Sequence, residues 1–245
     1  MRLPVRFSFF SAALVLGLLA SVLPAFSQVQ PAVQSTSSQT TGNGTYIAID
    51  PLANIKYDNK YDISLGMAYA HMKAGPTILE GSNLGGLDLS GSYWLSKHWA
   101  AEGSIRGYAG TSGAGLGDNV TTQSISGPFV QEYMFVAGPE WLGPHNKHGA
   151  LIAHALIGGT YGDFEHDLRN LPPSAVAFYN NQLALAAIIG GHIDLNRSQR
   201  WVFRVTPDAI ITRYGINYGA KYTQTDVNFA ISVGVEYRFK PKRRK

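Results

Sequence analysis

Residues 227–239 read V-N-F-A-I-S-V-G-V-E-Y-R-F, so that Val227, Phe229, Ile231, Val233, Val235, Tyr237 and Phe239 alternate without a break with Asn228, Ala230, Ser232, Gly234, Glu236 and Arg238. Successive side chains of a strand point to opposite faces, so an unbroken period of two means a β-strand with an apolar surrounding on one side and a small or charged one on the other. The run exceeds the roughly 9–11 residues that a tilted strand needs to cross a bilayer. A chain carrying such a strand must place its apolar face against lipid or inside a closed interior, and alternation alone does not say which.

The opposite end of the chain points out of the cytoplasm. Arg2 and Arg6 precede an apolar stretch from Phe7 to Leu23, and Ala25-Phe26-Ser27 supplies small residues where a signal peptidase reads, so residues 1–27 are expected to be a cleaved export signal. An uncleaved anchor helix is the alternative, but the stretch is short for a bilayer span. No cysteine occurs, which excludes a lipid-anchored lipoprotein and any disulfide framework.

The overall charge of +4 suggests an anion binder until its location is considered. The signal holds two arginines and the tail 240–245 holds five basic residues, with no acid in either, so the body carries thirteen basic against sixteen acidic residues. A nucleic-acid partner is therefore not expected, since that would need a basic stripe on the folded body. Beyond the signal no continuous apolar stretch is long enough for a membrane helix. If the chain spans a membrane, a closed barrel is the remaining form, because an open sheet edge in hydrocarbon would leave backbone groups unsatisfied.

Residues 28–60 form a lead. Its first part, to about Gly44, is rich in Gln, Ser and Thr and has nothing to bury, so it reads as disordered and periplasmic. Ile47, Ile49 and Leu52 are candidates to pack at the barrel mouth. Eight strands are read at 61–72, 84–95, 99–109, 129–141, 150–161, 181–195, 201–214 and 227–239. The connections after the second, fourth and sixth are short and those after the first, third, fifth and seventh are long, the last covering 215–226. Such sorting is characteristic of outer-membrane barrels with tight periplasmic turns and longer outside loops. Trp94, Trp99, Trp141 and Trp201 all lie beside the short turns, and Tyr69, Tyr108, Tyr161 and Tyr214 lie at the opposite strand ends, as two aromatic belts would. Pro139 and Pro207 fall inside strands, where the missing N–H predicts bulges.

These features together resemble the small outer-membrane β-barrel family of the outer-membrane protein A or X type, over residues 61–239. The resemblance implies an all-β fold, an eight-stranded antiparallel up-and-down transmembrane β-barrel. It also implies that Phe239, with Tyr237, is the terminal signal read by the barrel-assembly machinery, and that the partners are outer-membrane lipid and lipopolysaccharide. The basic tail 240–245 departs from that family, whose chains commonly stop at the aromatic.

Eight strands leave room for side chains rather than a channel. Carrying the parity back from the last strand assigns to the interior Asp88, Ser90, Ser92, Glu102, Ser104, Arg106, Glu132, Glu140, His154, His192, Arg204, Thr206, Asp208, Thr212, Glu236 and Arg238. The charged network is expected to centre on Asp88, Glu102, Arg106, Arg204, Asp208, Glu236 and Arg238, because buried ions must be paired. A register setting Tyr214 against Asp226 brings Arg204 opposite Glu236, and a turn centred on Lys97 brings Asp88 opposite Arg106.

Catalytic arrangements are sparse. No His-X-Ser occurs; His192-Ile-Asp194 reads as an interior pair, His145-Asn-Lys-His148 as a solvated turn, Gly162-Asp-Phe-Glu-His-Asp167 as an exposed acidic loop, and Gly113-Ala-Gly-Leu-Gly117 as a flexible loop without the strand and helix a phosphate site needs. The expectation is a non-enzymatic barrel with no cofactor or metal, located in the outer membrane and serving envelope integrity or surface contact through its outer loops. Two alternatives remain: an exported lipocalin-like barrel holding an apolar ligand, and an outer-membrane lipid-modifying enzyme.

Overall fold

Alternating polarity along eight segments produces eight strands, and the backbone hydrogen bonds that each edge leaves open are satisfied by rolling the sheet into a ring. In the computed structural model these are β1 (Tyr61–Met72), β2 (Ser82–Trp94), β3 (Trp99–Ser112), β4 (Phe129–His145), β5 (Gly149–Asp163), β6 (Gln182–Asn196), β7 (Trp201–Asn217) and β8 (Lys221–Arg238). Each pairs antiparallel with its sequence neighbour, and β8 closes onto β1, from Asp62 with Arg238 to His71 with Phe229. The chain is thus a closed eight-stranded antiparallel up-and-down barrel. The structure describes residues 51–53, 55–76, 81–112, 115–116, 125–168, 171–217 and 221–239. The signal 1–27, the lead to residue 50 with Ile47 and Ile49, most of the 113–117 glycine loop and the tail 240–245 lie outside them.

The strand expectations meet the structure with small changes at the ends and one larger correction. The connection expected at 215–226 is largely strand: β7 continues to Asn217, β8 starts at Lys221, and the two pair from the first rung, Lys221 with Asn217. Threonine and tyrosine at 222–225 suit a pleated ribbon without an apolar face, so the hairpin runs on past the alternating stretch. The register consequently differs by two residues. Arg204 lies opposite Gly234, and Glu236 opposite Val202. Asp88 lies opposite Arg106, as the Lys97-centred turn requires.

The prolines do not create bulges. Pro139 pairs regularly with Ala101 and Pro207 with Ile231; on their other sides the ladder is interrupted and resumes in the same register. A missing N–H thus removes a rung without displacing the strand. The irregularity in β4 lies instead between Leu142 and His145.

The wall and the interior have opposite polarity. The odd-numbered residues of β8 face outward, with Val227 68% exposed, whereas Asn228, Ala230, Ser232, Glu236 and Arg238 are buried. Leu65, Met67, Leu87, Ile105, Phe135, Ile157, Leu185 and Ile189 continue this outer surface around the ring. Among the residues whose burial is described, the exposed Lys, Arg, Asp, Glu and His side chains within the strands are His71, His145 and Arg213, which lie toward the ends of their strands. A shallow furrow of about 570 Å³ crosses the outer wall where Gly91, Gly103 and Ala137 lie between larger side chains.

At the short-turn end Tyr61, Tyr93, Trp99, Trp141, Trp201 and Phe239 are exposed on the outer wall, and Tyr237 stacks edge-on between Trp201 and Phe239 at centroid distances of 4.9 and 5.0 Å. At the long-loop end Tyr69, Tyr133 and Tyr161 form the second belt. Tyr61 to Tyr69, and Trp141 to Tyr133, are eight residues apart. At about 3.4 Å per residue and a tilt of about 40°, the belts stand about 21 Å apart, close to the apolar band of about 25 Å in membrane barrels.

Three aromatic assignments are corrected. Trp94 turns inward and packs beside Leu142, Ala150 and Ile152, and Tyr108 and Tyr214 are buried in the lumen. Each shares the parity of inward neighbours: Trp94 with Ser92, Tyr108 with Arg106, Tyr214 with Thr212. Position along the strand does not override the two-residue period.

Candidate functional site

All sixteen residues assigned to the interior are buried. Asp194, expected inside beside His192, is buried too, and these are joined by Asp62, Ser64, Asn196, Asp226, Asn228 and Ser232. Most of these polar groups gather in three tiers.

At the short-turn end two guanidiniums and two carboxylates alternate. Arg204 donates from Nε to Asp194 Oδ1 at 2.8 Å and from Nη2 to Asp194 Oδ2 at 3.0 Å and Glu236 Oε2 at 2.7 Å. Arg238 donates to Asp194 and Glu236 at 2.9 Å each and to Asn196 Oδ1 at 2.9 Å. The Arg204–Glu236 ion pair therefore forms even though the register is shifted, because the long arginine reaches diagonally across the ladder. The Tyr57 ring lies 4.7 Å from Arg238 Cζ and closes this end together with Trp94, whose Nε1 donates to Asp62 Oδ2 at 2.6 Å. Burial pushes the Tyr57 phenol up, against the opposing pull of its Asn196 hydrogen bond and the Arg238 charge.

The middle tier is built on Arg106, whose Nη1 lies 2.6 Å from Asp208 Oδ2 and whose Nε lies 3.4 Å from Asp88 Oδ1. Ser104 and Ser232 donate to the two oxygens of Asp88. Asp208 also meets His154 Nε2 at 2.9 Å. On the other edge of that imidazole, His154 Nδ1 lies 2.7 Å from Glu102 Oε2 and 3.2 Å from His192 Nε2, which is itself 3.3 Å from Glu102 Oε2. His192 Nδ1 contacts Thr206 Oγ1 at 2.9 Å. His192 and Asp194 both face inward but bond to different partners, so they are not the interior pair their spacing suggested.

Close packing is possible here partly because Gly190, opposite Asp208, has no side chain. A Cβ at this position would sit 2.0 Å from Asp208 Oδ1 and 2.5 Å from the Pro207 carbonyl oxygen. The void beside Ser64, Asp88, Arg204 and Ser232 measures about 10 Å³, no more than one water can use. At this level the lumen is filled rather than open.

The third tier lies under the long loops. Tyr179 donates to Asp226, which also accepts from Gln224 Nε2 at 2.9 Å and pairs with Lys73 Nζ at 3.4 Å. Burial pushes the Tyr179 hydroxyl up, and the Asp226 carboxylate beside it pushes the same way. The segment between β5 and β6, expected to be exposed, folds into the barrel mouth: Phe164, Leu168, Val176 and Phe178 are buried against Met72, Leu84 and Ile216. Its acids serve the closure. Glu165 Oε1 accepts from the Asn181 N–H at 2.9 Å, and Asp167 Oδ2 accepts from the Phe129 N–H at 3.0 Å. The apolar residues Phe164, Leu168, Val176 and Phe178 were the available sign that this connection is not a solvated loop. His145 and His148 are exposed at the β4–β5 turn.

Solved structures of similar fold include the attachment invasion locus protein Ail of Yersinia pestis, at 19% identity over 74% of this chain and 99% of that one with a TM-score of 0.43. OprG of Pseudomonas aeruginosa is 14% identical over 78% of this chain and 100% of that one, with a TM-score of 0.46. Outer Membrane Protein W of E. coli is 14% identical over 74% and 98%, with a TM-score of 0.38. No protein-family model matches the chain, and no curated protein matches it.

Proposed function

We propose that the chain is a non-enzymatic integral protein of the bacterial outer membrane, serving envelope integrity or surface contact through its outer loops. The observation that carries this reading is the inverted polarity of the barrel: an apolar outer wall between two aromatic belts, around an interior of paired charges. A soluble barrel holding an apolar ligand has the reverse arrangement, with its apolar face inside. The filled lumen and the capped mouth favour a structural or surface role over conduction. The aromatic end of β8 at Tyr237 and Phe239 is the feature shared with the A or X type, from which the basic tail 240–245 departs.

In this reading the short turns face the periplasm, and outer-membrane lipid and lipopolysaccharide surround the wall. Tyr237 and Phe239 supply the end recognised during assembly. Phe239 stands exposed at the seam, with its N–H bonded to the Tyr61 carbonyl at 3.0 Å. Cell fractionation tests the proposal together with gel mobility before and after heating. An outer-membrane band that migrates faster unheated than boiled is expected. A periplasmic, heat-insensitive band refutes it. Lipid A mass spectra of a deletion strain should be unchanged, and a lost acyl modification would replace the structural role with an enzymatic one.

A further inference from the structure

The middle of the lumen has too little positive charge for its acids. Among the described residues nine carboxylates are buried, whereas the buried permanent cations are Arg106, Arg204 and Arg238. The two arginines of the turn-end tier are committed to Asp194 and Glu236, and Arg106 to Asp88 and Asp208. Asp62, Glu102, Glu132, Glu140 and Asp226 are left without an arginine; of these Asp62 accepts from Asn59 and Trp94 and Asp226 pairs with Lys73, while Glu102 and Glu140 share the middle of the lumen. Glu140 is fully buried and neither of its carboxylate oxygens has a hydrogen-bond partner; Glu102 Oε1 also lacks one. An isolated buried carboxylate is too costly to keep charged without compensation, so this pair requires a proton or a cation.

The side chains around Glu102 have the form that a cation needs. Glu102 Oε2, His154 Nδ1 and His192 Nε2 make a triangle with edges of 2.7, 3.2 and 3.3 Å. Ligand atoms about 2.1 Å from a tetrahedral zinc stand roughly 3.4 Å apart, so two edges already have nearly that length, and the short His154–Glu102 edge of 2.7 Å opens by about 0.7 Å. Each imidazole is oriented by its other nitrogen, His154 Nε2 to Asp208 Oδ1 and His192 Nδ1 to Thr206 Oγ1, each at 2.9 Å. Ligating histidines are typically held by such partners, which fix the tautomer and the ring angle. Glu140 pairs directly with His154 across the β4–β5 ladder. Glu102, Glu140, His154 and His192 thus come one each from β3, β4, β5 and β6, four consecutive strands of the wall.

We propose that Glu102, His154 and His192 bind a divalent transition-metal ion of the zinc type, with Glu140 as the carboxylate that completes its neutralisation. Two neutral imidazoles and two carboxylates give a neutral site with a 2+ ion, and the nitrogen–oxygen set suits zinc over calcium or magnesium. Tyr57 and Trp94 close one end of the lumen and Phe164, Leu168, Val176 and Phe178 the other, so the ion is captured as the barrel folds and leaves slowly afterwards. It acts as a clamp across four strands.

The test refolds the full chain into detergent micelles with equimolar Zn²⁺, or Co²⁺ for spectroscopy, removes loose metal on a chelating resin, and measures metal per folded barrel. About one ion per chain is expected, with the visible bands of low-coordinate cobalt. Glu102→Gln and His192→Gln should lose it, and Glu140→Gln should weaken retention by about 10- to 100-fold, while each still shows the heat-dependent mobility shift. His145→Ala, in the exposed turn, should leave retention unchanged. A folded wild-type barrel that holds no metal, or one whose metal survives Glu102→Gln and His192→Gln, overturns the site. Should the lumen variants not fold, X-ray absorption of the zinc-loaded wild type decides: two imidazoles with oxygen is the expected shell, and any other shell refutes the assignment.

Discussion

Replacing Arg204 with methionine asks whether charge pairing or packing alone holds the short-turn end of the lumen. Arg204 is buried and donates three hydrogen bonds, two to Asp194 and one to Glu236, at 2.7–3.0 Å. Methionine keeps much of the volume and removes the charge, so both carboxylates then depend on Arg238 alone, at 2.9 Å each. Removing one partner of a buried pair costs about 3–5 kcal/mol, because the other charge is left uncompensated. The surviving Arg238 contacts set the expected loss near the lower end, about 3 kcal/mol, or about a hundredfold in the folding equilibrium constant. Urea unfolding of the barrel in lipid vesicles, followed by tryptophan fluorescence and the mobility shift, measures it. Adding Glu236→Leu to Arg204→Met removes the orphaned acid and should recover most of the loss. A single-variant loss under about 1 kcal/mol, or a double variant weaker than the single, refutes the pairing argument.

Ile105→Arg places a charge midway up the outer wall and should cost about 2–4 kcal/mol in lipid, whereas Tyr93→Arg at the rim should cost about 0–1; equal costs in vesicle unfolding would contradict a lipid-facing wall. Gly190→Ala drives a Cβ into Asp208 and the Pro207 carbonyl and should destabilise by about 1–3 kcal/mol, which the same titration reads; no change would mean that the lumen is looser than the contacts indicate. Tyr179→Phe removes a hydrogen bond to a carboxylate and should make the 164–178 segment more sensitive to limited proteolysis while the barrel stays folded. Because the folded Tyr179 hydroxyl is raised by burial and by Asp226, its contribution is fully present below the unfolded value of about 10 and declines as pH rises above it. Wild-type cleavage in this segment should therefore rise above about pH 10, and the Tyr179→Phe variant should lack that dependence.

The period of two made the interior legible. Every residue assigned inward from the parity of β8 is buried, since a strand cannot turn single side chains over without a bulge. What parity does not carry is height. Arg204 and Glu236 were matched through a loop assumed to begin at 215, and the register moved by two because Lys221 to Asp226 form a ribbon that needs no apolar face. Trp94, Tyr108 and Tyr214 stand at belt height but carry inward parity, and parity decides their direction. The Glu102–Glu140–His154–His192 cluster was hidden for a different reason. Its members are far apart in sequence, and only the order of four paired strands and their stagger bring them together.

The seam between β1 and β8 joins Asp62 to Arg238, nearly the two extremes of the described chain. Bringing such distant segments together carries a large loop-closure cost before any rung is gained. Ring closure must therefore come late, after all eight strands have been delivered. Until then two raw edges are present, each able to pair with a neighbouring chain, so the unclosed barrel is the form of this chain most exposed to mispairing.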